Sequence, residues 1–150
     1  MKTCFIAVAL LATLVSVNAD AAIKKCGGVA QVNPADVVIT GCKGHTRCIF
    51  KKNTFASIQL PFTLNQEFPR VTAKVYGVIA GVKIPFPFPH SNACAESGLQ
   101  CPLTPGSYSY TSKLLVQPAF PSLDVDVEWH LVDGNNQDIV CIRFPVALQS

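Results

Sequence analysis

Apolar and polar side chains alternate without a break over residues 123–131. Successive side chains of a β-strand point to opposite faces of the sheet, so this period of two predicts a strand with one buried face. The expected buried face carries Leu123, Val125, Val127, Trp129 and Leu131, and the expected solvent face carries Asp124, Asp126, Glu128 and His130. The pattern is typical of an antiparallel sheet with one side against a core and the other against water.

The alternation resumes after a short turn. Residues 133–136 read Asp-Gly-Asn-Asn, and the chain then returns with a second alternating run over 140–148, so we predict a hairpin. The apolar face of that run carries Val140, Ile142, Phe144, Val146 and Leu148. Shorter alternating runs occur at 58–62, 71–75 and 108–116, and no stretch has a convincing helical period. About six to eight short strands predict an all-β fold, an antiparallel β-sandwich of immunoglobulin-like shape.

The first residues have the features of a secretory signal peptide. Lys2 precedes an apolar run over residues 4–17, and Val17-Asn18-Ala19 has the small-residue pattern of a cleavage site. We predict that residues 1–19 are removed and that residues 20–150 form one domain outside the cytosol. No later run reaches the ~18 apolar residues of a membrane-spanning helix. The remaining chain has 11 basic and 9 acidic residues, a balance that argues against nucleic-acid binding.

Six cysteines remain after this cleavage, an even number that predicts three disulfides in an oxidising compartment. Six cysteines allow 15 pairings, and we favour a nested set. In that set Cys42 pairs with Cys48, Cys94 pairs with Cys101, and Cys26 joins Cys141 near the ends of the chain. A zinc site is the alternative, but five and six residues separate the close pairs, unlike the C-x2-C spacing of zinc sites. We therefore predict no metal.

A proline-rich segment at residues 82–89 reads Val-Lys-Ile-Pro-Phe-Pro-Phe-Pro. In an extended chain Val82, Ile84, Phe86 and Phe88 share one face. Proline cannot donate a hydrogen bond to a sheet, so we predict an edge strand or a polyproline-like wall. Its phenyl rings suit the rim of a cavity between two sheets, and the alternative is that they simply fill the core. Phe120, which stands near two prolines in a break of the β pattern, has the same two interpretations.

Several motifs together resemble one known family. They are Val75-Tyr76-Gly77-Val78-Ile79-Ala80-Gly81-Val82, Ile84-Pro85-Phe86-Pro87, Cys94 to Cys101-Pro102, Tyr108-Ser109-Tyr110, Phe120-Pro121-Ser122, and Val127-Glu128-Trp129 followed by Cys141. With six cysteines in this order, the chain resembles the ML lipid-recognition family, in its Niemann-Pick type C2-like group. The resemblance covers nearly all of residues 20–150.

The resemblance implies a lipid pocket between two spread sheets, and it implies the same three disulfides. It places an entrance at Phe86, Val116 and Phe120, next to Pro121. It implies that the deeper ligand-binding positions are Ile84, Leu114, Trp129, Ile142 and Phe144.

In function, the resemblance implies a secreted carrier that binds a sterol such as cholesterol, or a fatty acid, and transfers it between membranes or to a receptor. We expect no cofactor, a monomer, transient membrane contact, and a membrane sterol transporter as a candidate recipient. We expect extracellular residence, with the lysosome lumen as the alternative. The basic cluster of Lys43, His45, Arg47, Lys51 and Lys52 either approaches anionic lipid or is an ordinary solvated loop.

Two other functions are weighed against the carrier. An enzyme would need a catalytic motif around His45, His90 or His130, and we find no nucleophile elbow, phosphate loop or zinc-protease motif. We therefore predict that the protein is not an enzyme and that the polar face of Asp124, Asp126, Glu128 and His130 is merely solvated. The other alternative is an extracellular immune or chemosensory module that recognises microbial lipids or semiochemicals.

Overall fold

The computed structural model describes residues 3–14 and 20–150. Residues 3–14 form no helix or strand, and their large apolar side chains are exposed. The predicted cleavage site at residues 17–19 lies outside the described residues. Within the described ranges, no helix is long and apolar enough to cross a membrane.

Residues 20–150 contain nine strands and one short 3-10 helix at Pro34–Asp36. The strands are β1 (Lys24–Gly27), β2 (Val38–Ile39), β3 (Cys48–Lys51), β4 (Thr54–Leu64), β5 (Thr72–Ile79), β6 (Val82–Pro85), β7 (Gly106–Val116), β8 (Asp124–Val132) and β9 (Asp138–Gln149). They form two sheets. The larger sheet has the order β1-β9-β8-β5-β6 with β3 also paired to β9, and the smaller has the order β2-β4-β7.

The hairpin predicted from alternation is the centre of the larger sheet. Strands β8 and β9 pair antiparallel, with Val127 opposite Phe144 and Trp129 opposite Ile142. The turn between them is ordered by Asp133, whose Oδ1 accepts hydrogen bonds from the backbone N–H groups of Asn135 at 2.8 Å and Gln137 at 2.9 Å. The hairpin prediction is confirmed. Pairing fixes the register, so every apolar side chain of the run faces the same side.

The core lies between the apolar faces of the two sheets. In the smaller sheet β4 and β7 pair along their full length, which places Ala56 opposite Leu114 and Leu60 opposite Tyr110. These inward residues and those of β8 and β9 belong to one continuous buried cluster. Full burial of a large apolar side chain contributes about 1.5–3 kcal/mol to folding. Because two sheets enclose one shared core, the predicted all-β sandwich is confirmed.

One strand pair departs from the predicted antiparallel arrangement. Strand β3 runs parallel to β9, with Cys48 opposite Val146 and Lys51 opposite Gln149. On the same edge of β9, the four residues of β1 pair only with its first half. The second half would keep unpaired backbone groups, and β3 satisfies them.

The three disulfides pair as predicted. Cys42 bonds Cys48, Cys94 bonds Cys101, and Cys26 bonds Cys141. The last bridge joins β1 to β9 across a sequence separation of 115 residues. In the loop-entropy model a bridge of that length contributes about 4–5 kcal/mol by restricting the unfolded chain.

Candidate functional site

The proline-rich segment forms the edge of the larger sheet. Within the described chain β6 pairs with β5 alone, and Ile84 lies opposite Gly77. Immediately after β6, the backbone N–H of Phe86 donates to the carbonyl of Val75 at 2.9 Å. The Phe86 ring covers Gly77, where a Cβ atom would come within 2.8 Å of Cε2 of the ring. A side chain at position 77 would therefore displace the Phe86 ring from its place against the sheet.

Two of the predicted entrance residues contact each other. The rings of Phe86 and Phe120 meet edge to face, with centroids 5.2 Å apart and an interplanar angle of 61°. Phe120 is held in the loop after β7 by a backbone hydrogen bond from its N–H to the carbonyl of Gln117 at 3.1 Å. Val116, the third entrance residue, is buried at the end of β7, and Pro121 is exposed. The aromatic pair thus bridges the edge of one sheet and a loop between the sheets.

Four of the deeper predicted positions lie together in the core. Leu114, Trp129, Ile142 and Phe144 are all buried in the cluster between the sheets. Trp129 also contacts the proline-rich segment, since its ring centroid is 5.1 Å from that of Phe88. The same segment therefore contacts Phe120 through its first ring and the buried tryptophan through its second.

The position of Ile84 differs from the prediction. Its side chain faces the same side of the sheet as Gly77, but it is 48% exposed. The reason is its place on an edge strand, where Gly77 offers no side chain beside it and nothing pairs with the other edge in the part of the chain described. A deep position for Ile84 is wrong. Together with Ile79 and Val82, which are also exposed, it forms an apolar rim beside Phe86.

Tyr110 is an interior residue that the sequence analysis did not assign to the site. Its hydroxyl accepts a hydrogen bond from Nε1 of Trp129 at 3.3 Å, and the residue is fully buried. Burial raises the pKa of Tyr110, an effect that hydrogen bonds with Ser112 and Trp129 partly offset, so the hydroxyl is neutral at physiological pH. The available signal was the alternation of Tyr108, Tyr110 and Leu114 along β7.

The polar face of β8 is not the solvated surface predicted for it. Glu128 is 3% exposed and His130 is 8% exposed, although Asp124 is open to solvent. Positively charged side chains compensate the negative charge of Glu128. Nζ of Lys83 lies 3.0 Å from Oε1, and Nη1 of Arg143 lies 3.4 Å from Oε2. The prediction is therefore wrong for Glu128 and His130, because side chains from neighbouring strands cover them.

The charge of Glu128 is maintained by these neighbours. Burial alone would raise the pKa of its carboxyl, but hydrogen bonds from Lys83 and His130, together with their positive charge, outweigh burial and hold that pKa below its ordinary value. His130 also bonds Asp138, with Nδ1 to Oδ1 at 2.7 Å. Cys141 adjoins this group, but its sulfur is engaged in the disulfide with Cys26 and cannot serve as a thiolate ligand.

A surface depression of about 560 Å³ lies elsewhere, against the smaller sheet. Polar residues such as Gln59, Glu96 and Lys113 line it together with Tyr110, but none of the residues predicted from the sequence for the lipid site does. The interior between the sheets, by contrast, is lined by aromatic rings and aliphatic side chains.

The chain is similar to Niemann-Pick type C2 proteins both in sequence and in structure. NPC intracellular cholesterol transporter 2 homolog a of Drosophila melanogaster is 39% identical over 115 residues, covering 75% of this chain and 78% of that protein. NPC intracellular cholesterol transporter 2 of Bos taurus is 32% identical over an alignment of 154 residues, covering 97% and 99%. The crystal structure of a Niemann-Pick type C2 protein from the Japanese carpenter ant superposes with a TM-score of 0.79 at 26% identity, over 85% of this chain and 99% of that one.

The fold and site define a disulfide-bonded β-sandwich whose apolar interior is closed at one edge by aromatic rings. The family model of the ML domain matches residues 20–148. The chain therefore belongs to the ML domain family, and the Niemann-Pick type C2-like resemblance of its sequence is confirmed.

Proposed function

We propose that the protein is a carrier that binds a sterol or a fatty acid between its two sheets and transfers it between membranes or to a receptor. The observation that carries this proposal is the contact between Phe86 and Phe120, which closes an interior lined by apolar side chains. The names of the fly and bovine relatives, both cholesterol transporters, support the same ligand class. Leu114, Val116, Trp129, Ile142 and Phe144 are the proposed lining, with Ile84 and Pro121 at the rim.

Burial of the ligand's apolar surface is the proposed source of the binding free energy, and it needs no charged anchor. Each buried methylene contributes about 0.8 kcal/mol, so a ligand with ~15 methylenes gains roughly 12 kcal/mol. Association costs about 4–15 kcal/mol in lost translational and rotational freedom. The interior side chains form one packed cluster, so the sheets must spread or the side chains must shift as the ligand enters.

Ligand entry would begin with separation of the two rings. The apolar rim of Ile79, Val82 and Ile84 is exposed beside them and would contact the bilayer while the ligand passes. Of the basic cluster, Lys43, His45 and Lys51 are exposed and available to anionic lipid. Arg47 is already engaged, because its Nη2 lies 3.5 Å from Oδ1 of Asp126.

The remaining parts of the proposal concern the setting. We assign residues 1–19 as a signal peptide and residues 20–150 as the ML domain, which places the protein in the extracellular space or the lysosome lumen. We propose a monomer that meets membranes transiently and delivers to a membrane sterol transporter. We propose no catalysis. Although His130 lies between two carboxylates, its polar cluster is on the outer face of the larger sheet, away from the proposed lipid.

The first test is mass spectrometry of lipid extracted from the purified protein, paired with competition between a fluorescent sterol and a fluorescent fatty acid. Stoichiometric sterol displaced only by sterol would establish a sterol carrier. Bound fatty acid would establish a broader carrier, and semiochemicals or microbial lipids would favour a recognition module. If no lipid is bound and none competes, the carrier proposal fails.

The entrance is tested with matched phenylalanine variants. Phe86→Ala and Phe120→Ala remove the closing rings, whereas Phe55→Ala removes a ring that is 60% exposed on the outer face of the smaller sheet. We expect the first two to speed dissociation of a fluorescent sterol about tenfold, equivalent to about 1.4 kcal/mol, and the control to leave it unchanged. Equal effects of all three variants would contradict an entrance at these rings.

A further inference from the structure

Lys83 makes an ion pair that the proposed lipid site does not use. It lies on β6, directly opposite Val78 of β5, and its ammonium reaches over β5 to the carboxylate of Glu128 on β8. Nζ is 3.0 Å from Oε1, and the side chains of Lys83 and Glu128 are 55% and 4% exposed. A half-exposed cation therefore ends on a buried anion two strands away.

This contact is a second attachment for a weakly held strand. Strand β6 has four residues, and its ladder bonds go to β5 alone among the described elements. Edge strands with one neighbour open more easily than central ones because fewer hydrogen bonds and contacts must break. Lys83 adds a side-chain link from β6 to β8, past the intervening strand β5.

The anchor of that link is itself held by several side chains. Glu128 also contacts Nε2 of His130 at 2.9 Å and Nη1 of Arg143 at 3.4 Å. Arg143 in turn bonds Asp126 through Nη2 at 2.8 Å. These partners lie on β8 and β9, the longest antiparallel pair of the larger sheet, so Lys83 ties β6 to a carboxylate that is already fixed on two strands.

The tethered strand leads directly into the entrance. Lys83 stands between Val82 and Ile84 of the apolar rim, and Phe86 follows three residues later. We propose that the Lys83–Glu128 ion pair tethers β6 and so keeps the Phe86 ring packed against Phe120, which makes Lys83 a positioning residue for ligand entry and exit. This inference rests on the carrier function proposed above.

Lys83→Met is the sharpest test, because methionine removes the charge and keeps an unbranched stem that can still cover Val78. Glu128 retains Arg143 and His130 in this variant, so we expect the fold to survive. Lys83→Arg is the rescue variant, since a guanidinium can also reach the carboxylate. Lys113→Met is the matched control, because it removes the same charge from an exposed position on the smaller sheet.

Two measurements on the full secreted chain separate the tether from ligand binding. Amide hydrogen exchange without lipid reports opening of β6, and the Phe86 amide is the reporter. Stopped-flow mixing with a fluorescent sterol gives the entry and exit rates. For Lys83→Met we expect exchange at Phe86 and both sterol rates to rise roughly three- to tenfold, with Kd changed less than about twofold, since opening the path accelerates both directions equally. Lys83→Arg and Lys113→Met should match the parent.

Other outcomes overturn the inference. Unchanged exchange at Phe86 in Lys83→Met would show that the ion pair does not hold β6. Faster exchange with unchanged sterol rates would show that β6 does not control entry. A faster exit with a proportionally weaker Kd would place Lys83 in ligand binding, not in positioning. If the parent protein binds no lipid, the carrier proposal fails first, and exchange alone then decides whether the tether exists.

Discussion

The second half of β8 is buried on both faces, but the two faces are stabilised by different interactions. Toward the smaller sheet, Trp129 packs among aromatic rings and needs only a hydrogen bond to Tyr110. On the opposite face, Glu128 is buried as an ion and is compensated by Lys83, His130 and Arg143. Burial of the apolar side chains on the first face stabilises the fold. On the second face, the ion pairs must offset the desolvation cost of the buried charge.

The difference follows from what covers each face. The inner face meets a whole second sheet, so burial there is a property of the fold. Among residues 3–14 and 20–150, no further sheet lies over the outer face, and side chains from neighbouring strands cover it. Tyr76, for example, contacts His130 edge to face with centroids 5.3 Å apart. The outer cluster therefore depends on particular residues and is easier to disturb one contact at a time.

Removing the buried tryptophan should have the largest effect. Trp129→Ala leaves a cavity in the cluster between the sheets and deprives Tyr110 of its indole partner. We expect a loss of about 3–5 kcal/mol in the free energy of unfolding, measured by urea titration, together with loss of sterol binding. A loss below about 1 kcal/mol would mean that the interior collapses around the gap and that the inner face is less tightly packed than the structure indicates.

Neutralising the buried carboxylate should have the next largest effect. Glu128→Gln keeps the shape of the side chain but weakens its bonds to Lys83, His130 and Arg143. We expect a loss of about 1–3 kcal/mol in the free energy of unfolding, again by urea titration, with sterol Kd little changed because the residue faces away from the interior. A stabilised variant would show that the desolvation cost of the Glu128 carboxylate exceeds the free energy gained from its ion pairs and hydrogen bonds.

The difference in the free energy of unfolding between the parent and Glu128→Gln should depend on pH. The pKa of Glu128 is lowered in the folded state, so its charge adds stability above the ordinary glutamate pKa, and that stability is lost as pH falls through the folded-state pKa. The stability difference between the parent and Glu128→Gln should therefore be full at neutral pH and shrink as pH falls through the lowered folded-state pKa of Glu128. A difference that grows on acidification would contradict this assignment.

The smallest effect is expected at the exposed end of the same polar face. Asp124→Asn alters a side chain that is 67% exposed and only 3.7 Å from Nε of Arg47. Exposed ion pairs contribute little, so the free energy of unfolding should change by less than about 0.5 kcal/mol. A change as large as that of Glu128→Gln would mean that the outer cluster acts as one unit and not through its buried members.

Much of the site could be predicted from local pattern and resemblance. Proline at alternate positions indicated an edge strand with rings on one face, and the structure contains that edge, with Phe86 against Phe120 and Phe88 against Trp129. The exposure of Ile84 could not be predicted, because it depends on Gly77 beside it and on the absence of a further strand in the described chain. Alternation along β7 indicates which face Tyr110 occupies, but it does not indicate the hydrogen bond with Trp129 that places Tyr110 beside the predicted site.

The sequence by itself determined which side chains share a face, where the hairpin turns and which family the chain resembles, and it favoured one of the 15 possible cysteine pairings. These follow from local geometry and from short motifs, since a strand repeats every two residues whatever surrounds it. Only the tertiary structure decided that Glu128 and His130 are buried and that β3 runs parallel to β9. Burial and strand pairing depend on distant segments brought together by the fold, and Lys83 reaching over β5 to Glu128 is one such contact that no local period encodes.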